Sequence, residues 1–313
     1  MRILITGGSG FVGGRIASFF GDRQKHKIVI GTRQENFRAE QQYAETRFMN
    51  WDSTTNLKNA CAGIDLIIHT AGLNAGDSAK SPETAYLVNS IYTARLLEAA
   101  RTSNVKRFIY LSTAHVYNGT MSGEITEETP CKNVHPYAAS HRAGEDLVQY
   151  YTSKFPAQTV ILRLSNGFGP PASVYTPCWK LVINDLCRQI FETGRMQIRS
   201  SGLQKRDFIP LTSVCETIGF LSDLNSVPGQ STIYNLSSGV SYSLREMANL
   251  IQSRCQSLYQ MHPALEIMEP DAVAEQKKLE IRNDKLRTLY SEWKPDTQAE
   301  IDSLLAFCRK NFA

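Results

Sequence analysis

Two short stretches carry the side chains best suited to moving a proton beside a small molecule. Ser112-Thr113-Ala114-His115-Val116-Tyr117 closes an apolar run, and Tyr137-Ala-Ala-Ser-His141 opens a helical pattern. Residues four apart share a face of a helix, so Tyr137 and His141 point the same way. A free tyrosine, with a pKa of about 10, needs a neighbouring positive charge to act as acid or base near neutrality. Protonated His141 could be that neighbour; neutral His141, with an ordinary pKa of about 6.5, could still hydrogen-bond a hydroxyl. Arg142 points about 100° away around the helix and substitutes poorly. Thr113 offers a hydroxyl that can orient a substrate oxygen.

A third stretch would hold a phosphorylated ligand. Ile3, Leu4 and Ile5 read as a strand buried on both faces. Gly7, Gly10 and Gly13 follow at three-residue spacing, and Val12, Ile16, Phe19 and Phe20 then recur at helical spacing. Glycines allow a tight turn and close approach of a ligand, and the free N–H groups of the helix start favour a phosphate. The segment Gly7, Ser9, Gly10, Phe11, Val12, Gly13 is therefore the expected pyrophosphate site of a dinucleotide. Its spacing departs from the usual Gly-x-Gly-x-x-Gly fingerprint.

Positioning these residues takes a particular scaffold. Strands are expected at 27–30, 46–49, 65–72, 107–113 and 159–164, with helices at 86–101 and 138–155 and a loop at 73–84 beside the expected nicotinamide end. Strands alternating with helices predict a Rossmann-like, doubly wound parallel α/β sheet with ligands beyond its carboxyl edge. No acidic residue stands at 31–33 to take ribose hydroxyls; Arg33 suits the 2′-phosphate of NADP, or is a solvated surface arginine. Asn50, Trp51 and Asp52 are candidates for an adenine pocket, and His69 reads as a packed strand residue without a catalytic role. From about residue 165 the pattern loosens into further helices at 178–192, 212–223, 243–257 and 297–311. The expected division is a dinucleotide-binding domain at 1–164 and a smaller substrate domain at 165–313, interleaved with the first.

Composition fits this picture. The 313-residue chain is 42% hydrophobic with a net charge of +4, which suits an anionic small substrate and is too mild for nucleic acid. No apolar run approaches the roughly 18 residues of a membrane span. Arg2 leads at once into a strand and glycine turn, against a signal peptide. The seven cysteines lack a C-x-x-C pair and read as reduced thiols in a cytoplasmic protein, neither a disulfide framework nor a metal site.

The motifs taken together resemble the extended short-chain dehydrogenase/reductases, in the nucleotide-sugar epimerase/dehydratase group. The resemblance runs nearly end to end through Thr-Gly-Gly-Ser-Gly-Phe-Val-Gly at 6–13, Ile-Ile-His-Thr-Ala-Gly at 67–72, Asn89 and Leu-Ser-Thr-Ala-His-Val-Tyr at 111–117. It continues in Pro-Tyr-Ala-Ala-Ser at 136–140, Arg-Leu-Ser-Asn-Gly-Phe-Gly-Pro at 163–170, Arg-Asp-Phe-Ile at 206–209, Tyr-Asn-Leu-Ser-Ser-Gly at 234–239 and Trp-Lys-Pro at 293–295. It implies Tyr137 as acid/base with Thr113, not Ser112, as its partner. It implies that Ala71, Gly72 and Asn89 join the cofactor site, and that Asn166 and Arg206 hold a substrate diphosphate. An Arg206–Asp207 surface ion pair is the alternative for that arginine. Lys180 is a further substrate candidate. The family's arginine around 268–276 is missing, and Lys277, Lys278 or Arg282 are the cations available in its place. A homodimer through the helices at 86–101 and 138–155 is also implied.

Departures from the family pattern narrow the chemistry. The family's lysine four residues after the tyrosine is His141 here. The Asp-Glu that follows the catalytic threonine in the dehydratases is Ala114-His115, which argues against dehydration, and the cysteine of the 3,5-epimerising reductases is absent. The leading expectation is an oxidoreductase using NADP, with NAD as the alternative, for 4-keto reduction of a nucleoside-diphosphate sugar. A 4-epimerase with retained NAD and a redox-silent binding protein are the other two readings.

Overall fold

A computed structural model describes residues 1–35, 44–154, 157–225, 231–268 and 278–313. In chain order the elements are β1 (Arg2–Thr6), α1 (Phe11–Arg23), β2 (Lys27–Thr32), β3 (Ala44–Phe48), α2 (Thr54–Cys61), β4 (Leu66–His69), α3 (Ala75–Lys80) and α4 (Pro82–Tyr86). A π turn (Leu87–Ile91) leads into α5 (Tyr92–Thr102), β5 (Arg107–Thr113), a 3₁₀ turn (Ala114–Val116), β6 (Gly123–Ile125), α6 (Pro136–Thr152), β7 (Gln158–Leu164) and β8 (Asn166–Phe168). The remainder is α7 (Val182–Thr193), β9 (Arg195–Ile198), β10 (Lys205–Pro210), α8 (Leu211–Asp223), β11 (Ser231–Leu236), β12 (Ser241–Ser243), α9 (Leu244–Tyr259), β13 (Ala264–Ile267), β14 (Leu279–Ile281), α10 (Asp284–Leu289) and α11 (Thr297–Phe312). The chain divides into a unit of residues 1–120, 129–164 and 217–235 and a unit of residues 121–128, 165–216 and 236–313.

The first unit carries a seven-stranded sheet in the order β11-β7-β5-β4-β1-β2-β3. Strands β1 to β5 and β7 pair in parallel, with Thr6 opposite Gly31 on one side and His69 on the other. The order reverses between β1 and β4, which opens a crevice beyond the ends of both strands. The apolar runs of β1 and β4 are buried throughout, as strands covered on both faces must be. Leu4, Ile67, Leu96, Phe108 and Ile161 belong to the core on one face of this sheet.

Two expectations change here. Residues 73–84 are not a loop: α3 starts on Asn74, whose side chain accepts from the Asp77 N–H, and α4 starts with a proline in its first turn. Both helices are too short to show an apolar period. The single helix expected at 86–101 is interrupted by the π turn at Leu87–Ile91, which periodicity does not reveal. The expected end of the helix at Phe155 lies outside the described residues.

The strongest polar fastening in this unit joins α6 to the sheet. Arg163 on β7 is 4% exposed at its side chain and Glu145 on α6 is 0% exposed. Arg163 donates from Nη2 to Glu145 Oε2 at 2.7 Å and from Nε to both carboxylate oxygens at 3.1 and 3.2 Å. Ser112 Oγ donates to Glu145 at 2.5 Å, and Arg163 Nη1 donates to the Tyr117 hydroxyl at 3.1 Å. Burial works against the Arg163 charge, but the bonds to Glu145 outweigh it and hold the guanidinium above its ordinary pKa.

The second unit holds a three-stranded sheet, β12-β10-β8, and the two-stranded pairs β13-β9 and β14-β6. Its core gathers Phe168, Ile183, Leu186, Met247, Ile251 and Leu304 from β8, α7, α9 and α11. Among the described residues no helix is long and apolar enough to cross a membrane. All seven cysteines are free thiols.

Removing one partner of a buried pair strands the other charge. Glu145→Ala is expected to lower the unfolding free energy by about 3–5 kcal/mol, and Glu145→Gln by less, in urea titrations. A loss below about 1 kcal/mol for the alanine variant would show that the pair does not fasten α6.

Candidate active site

The glycine turn leaves β1 with Gly7 at φ +72°, a left-handed conformation that favours glycine. A side chain there would also strike the backbone of Ala71, whose nitrogen lies 2.8 Å from where the Cβ would stand. A Cβ on Gly13 would collide with the Gly7 carbonyl and lie 2.6 Å from Thr70 Oγ1. Backbone thus packs directly against backbone, and the start of α1 is brought under the turn. Gly10 caps α1 without any side-chain bond, so its first N–H groups are not closed off by a cap. These features fit a pyrophosphate and so test favourably for a dinucleotide.

The crevice above this turn is lined by Gly7, Ser9 and Gly10 from the turn, by Arg33 and Trp51 after β2 and β3, and by Ala71 and Gly72 after β4. Phe11, Val12 and Gly13 lie beneath it, in the first turn of α1. Asn50 stands outside the lining, exposed, its side-chain oxygen taken by the Asp52 N–H at 3.0 Å. Trp51 stacks on Tyr92 with centroids 5.3 Å apart, and Arg95 donates to the Trp51 carbonyl at 2.9 Å. Tyr92, Val88 and His69 also line the crevice and were not anticipated. The spacing of Tyr92 and Val88 on one helical face was the available signal.

Asn89 is 1% exposed and works through its neighbours. Its Oδ1 accepts the Leu73 N–H at 2.7 Å and its Nδ2 donates to Ser140 Oγ at 2.9 Å. It therefore ties the segment after β4, which carries Ala71 and Gly72, to the helix carrying the tyrosine.

Thr113, Tyr137 and His141 come together in this unit. Thr113 Oγ1 accepts the His115 N–H at 3.2 Å, capping the 3₁₀ turn, and its side chain stands near enough to the Tyr137 phenol to act on that group's pKa. Ser112 is committed to Glu145. The Tyr137 ring is 4.8 Å from that of His141 at 72° and 6.3 Å from that of His115. Burial raises the Tyr137 pKa, and the nearby Thr113 side chain opposes this only in part. Burial pushes His141 down to about 4. At neutral pH the imidazole is uncharged, so it cannot activate Tyr137 by charge as a protonated histidine would.

The expected substrate residues lie in the second unit. Asn166 donates from Nδ2 to the Asp207 carbonyl at 2.8 Å. Arg206 does not pair with Asp207, because successive strand residues face opposite ways. Asp207 is buried against Ser165 Oγ at 2.6 Å, Ser238 and the Gly239 N–H, and burial raises its carboxyl to about 6. Arg206 donates to Gln204 at 3.2 Å, and burial lowers its pKa. Lys180 is exposed in the turn before α7. Arg282 is a weaker candidate: it bonds Asp284 at 2.6 Å, with Glu124 at 3.5 Å and Glu280 at 3.7 Å. Lys278 sits 3.4 Å from Glu280, and Lys277 lies outside the described residues.

Comparison with known proteins agrees with this geometry. The family model "NAD dependent epimerase/dehydratase family" matches residues 3–237. The human dTDP-D-glucose 4,6-dehydratase is 30% identical over 266 residues, 80% of this chain and 73% of that one. Two solved structures share the fold across 100% of both chains. One is the Thermotoga maritima UDP-glucose 4-epimerase with UDP-glucose, at TM-score 0.83 and 17% identity. The other is MoeE5 with UDP-glucose and NAD, at TM-score 0.82 and 18% identity.

The buried histidines have a measurable consequence. His141 titrates at about 4 and His69, buried beside it, at about 3. Above the ordinary value of about 6.5 both are neutral in either state, and stability is whole. As pH falls below that value the unfolded chain takes up protons the folded chain refuses, so stability falls until the folded values are reached. Asp207, titrating at about 6, contributes with the opposite sign between that pH and its unfolded value. His141→Gln is therefore expected to take up about one proton fewer on unfolding near pH 5 than the parent, read from urea titrations across pH 4.5–7. Identical pH slopes for the two proteins would refute the burial argument.

Proposed function

Since the chain belongs to the NAD-dependent epimerase/dehydratase family, we propose that it inverts C4 of a nucleoside-diphosphate sugar through a 4-keto intermediate, keeping its NAD between turnovers. The observation that carries this reading is the gathering of Thr113 and His141 around the Tyr137 phenol. Tyr137 takes the proton from the sugar's O4 while Thr113 holds that oxygen, and Tyr137 gives the proton back when the ketone is reduced from the other face. The glycine turn of Gly7, Gly10 and Gly13 would hold NAD, which when bound would supply the hydride acceptor and donor for C4. Asn166 and Arg206 would bind the diphosphate, a role suited to the planar guanidinium fork.

Dehydration is disfavoured despite the identity to the human dehydratase. The positions after Thr113 are Ala114 and His115, and a methyl group cannot supply the acid that elimination of water requires. One observation favours a second reading: Arg33 is exposed in the lining of the crevice, where it could accept a 2′-phosphate, and NADP would suit net 4-keto reduction.

The test is purified protein with UDP-glucose or dTDP-glucose, products read by NMR. Epimer formed with no net change in nicotinamide absorbance is the expected result. NADPH consumption on a 4-keto-6-deoxy sugar would replace this reading with the reductase, and release of that keto sugar would replace it with the dehydratase. Tyr137→Phe should lower turnover by about 10²–10⁴-fold. Inactivity of both the parent and His141→Lys would favour a redox-silent binding protein.

A further inference from the structure

His69 and His141 are both buried, and hydrogen bonds lead from each towards the same atom, the backbone carbonyl oxygen of Asn89. From one side Thr6 Oγ1 meets His69 Nδ1 at 2.6 Å, His69 Nε2 meets Thr93 Oγ1 at 3.0 Å, and Thr93 donates to the Asn89 carbonyl at 2.9 Å. From the other side the Tyr110 hydroxyl donates to the same carbonyl at 3.3 Å and meets His141 Nδ1 at 3.2 Å. The carbonyl stands in the π turn, where the helical ladder is interrupted.

A carbonyl can only accept, whereas an imidazole nitrogen can play either part. The fixed polarity of the carbonyl therefore decides the rest. Thr93 spends its proton on Asn89, so it must accept from His69 Nε2–H, and His69 Nδ1 then accepts from Thr6. Tyr110 spends its proton on Asn89, so its oxygen accepts from His141 Nδ1–H. The Tyr110 hydroxyl has a made niche: a Cβ on Gly144 would collide with it and stand 2.7 Å from the Asn89 carbonyl. Tyr110 itself is 1% exposed. The opposite edge of His141 faces Gly72, with Cε1 and Nε2 3.5 and 3.6 Å from where a Cβ on that glycine would stand.

We propose that Tyr110 is a positioning residue that fixes His141 as its Nδ1–H tautomer, so that the bare Nε2 is presented on the Gly72 side of the crevice as a hydrogen-bond acceptor for a ribose hydroxyl. Where the family has a charged donor, this chain then uses a neutral acceptor. The tautomer follows from the protein's own contacts; its role towards a ribose rests on the nucleotide-sugar reading above.

The tautomers can be read directly. Two-bond ¹⁵N–¹H correlation spectra of ¹⁵N-histidine-labelled protein report which ring nitrogen carries the proton, and His69→Gln and His141→Gln identify the two signals. His141 is expected protonated at Nδ1 and His69 at Nε2, opposite tautomers in one protein. In Tyr110→Phe the acceptor for His141 Nδ1–H is gone, and His141 is expected to move to the Nε2–H form while His69, anchored through Thr93, stays as it was. NAD binding by calorimetry is expected to weaken about tenfold in Tyr110→Phe, the worth of about one hydrogen bond. A parent His141 protonated at Nε2, or a tautomer untouched by Tyr110→Phe, overturns the proposal. A change at both histidines would mean that Tyr110 merely supports the packing, and also overturns it. The expected tautomers in a protein that binds no NAD would defeat the ribose role and the nucleotide-sugar reading, leaving the tautomer lock standing.

Discussion

The buried pairing of Arg163 with Glu145 fixes where the chemistry can occur. Thr113 ends a sheet strand, whereas Tyr137 and His141 stand at the start of α6, and only contacts between that helix and the sheet can set their separation. Apolar packing resists separation of the two layers but is tolerant of sliding. A bidentate guanidinium–carboxylate contact is not tolerant, because its energy depends on two aligned bonds. Arg163 reaches from β7 and Glu145 from one turn beyond His141, with the Ser112 hydroxyl closing the carboxylate from β5. The residue next to Thr113 thus helps to register the helix that carries Tyr137. A pair of this kind adds little net stability over a hydrophobic substitute. Its contribution here is alignment.

Asn89 supplies the second constraint, by a different means. Its side chain ties Leu73 to Ser140, and its carbonyl, in a π turn, takes hydroxyl protons from Thr93 and Tyr110. One residue thus holds the crevice wall, the tyrosine helix and two buried imidazoles. Low polarity around these groups raises the cost of any unpaired one. The pull of burial on His69 and His141 follows from the same surroundings, since water is not there to solvate a proton.

Much of the scaffold was legible because it depends on local rules. The apolar runs of β1 and β4, the glycine turn and the strand–helix alternation each follow from residue type and spacing, and β5 occupies the expected span, Arg107–Thr113. The helices α3 and α4 were missed because a capping asparagine and a leading proline replace periodicity as their signal. The π turn leaves no mark on the apolar pattern. Side-chain partnerships across the sheet were beyond reach for another reason: nothing in the sequence shows that Tyr110 and His141, 31 residues apart, share a hydrogen bond. For the same reason the separation of Arg206 from Asp207 was open until the strand was seen to place them on opposite faces, and Arg282 looked free until Glu124, Glu280 and Asp284 were seen around it.

A neutral His141 changes what governs the protonation of Tyr137. Burial raises the pKa of Tyr137, the nearby Thr113 side chain opposes this only in part, and among the described residues no protein cation tips the balance. A fixed lysine would favour the phenolate at every stage of a reaction. Without it, on the proposed function, an oxidised nicotinamide ring would be a source of positive charge in the site. Coulombic attraction in a poorly solvated site is strong enough to matter at such range. The Tyr137 phenol would then be more acidic when O4 must lose its proton, with an oxidised ring bound, and less acidic when the ketone must gain one. The proton equilibrium of Tyr137 would follow the redox state of the cofactor in both directions, which is what a reaction that oxidises and then re-reduces the same carbon needs.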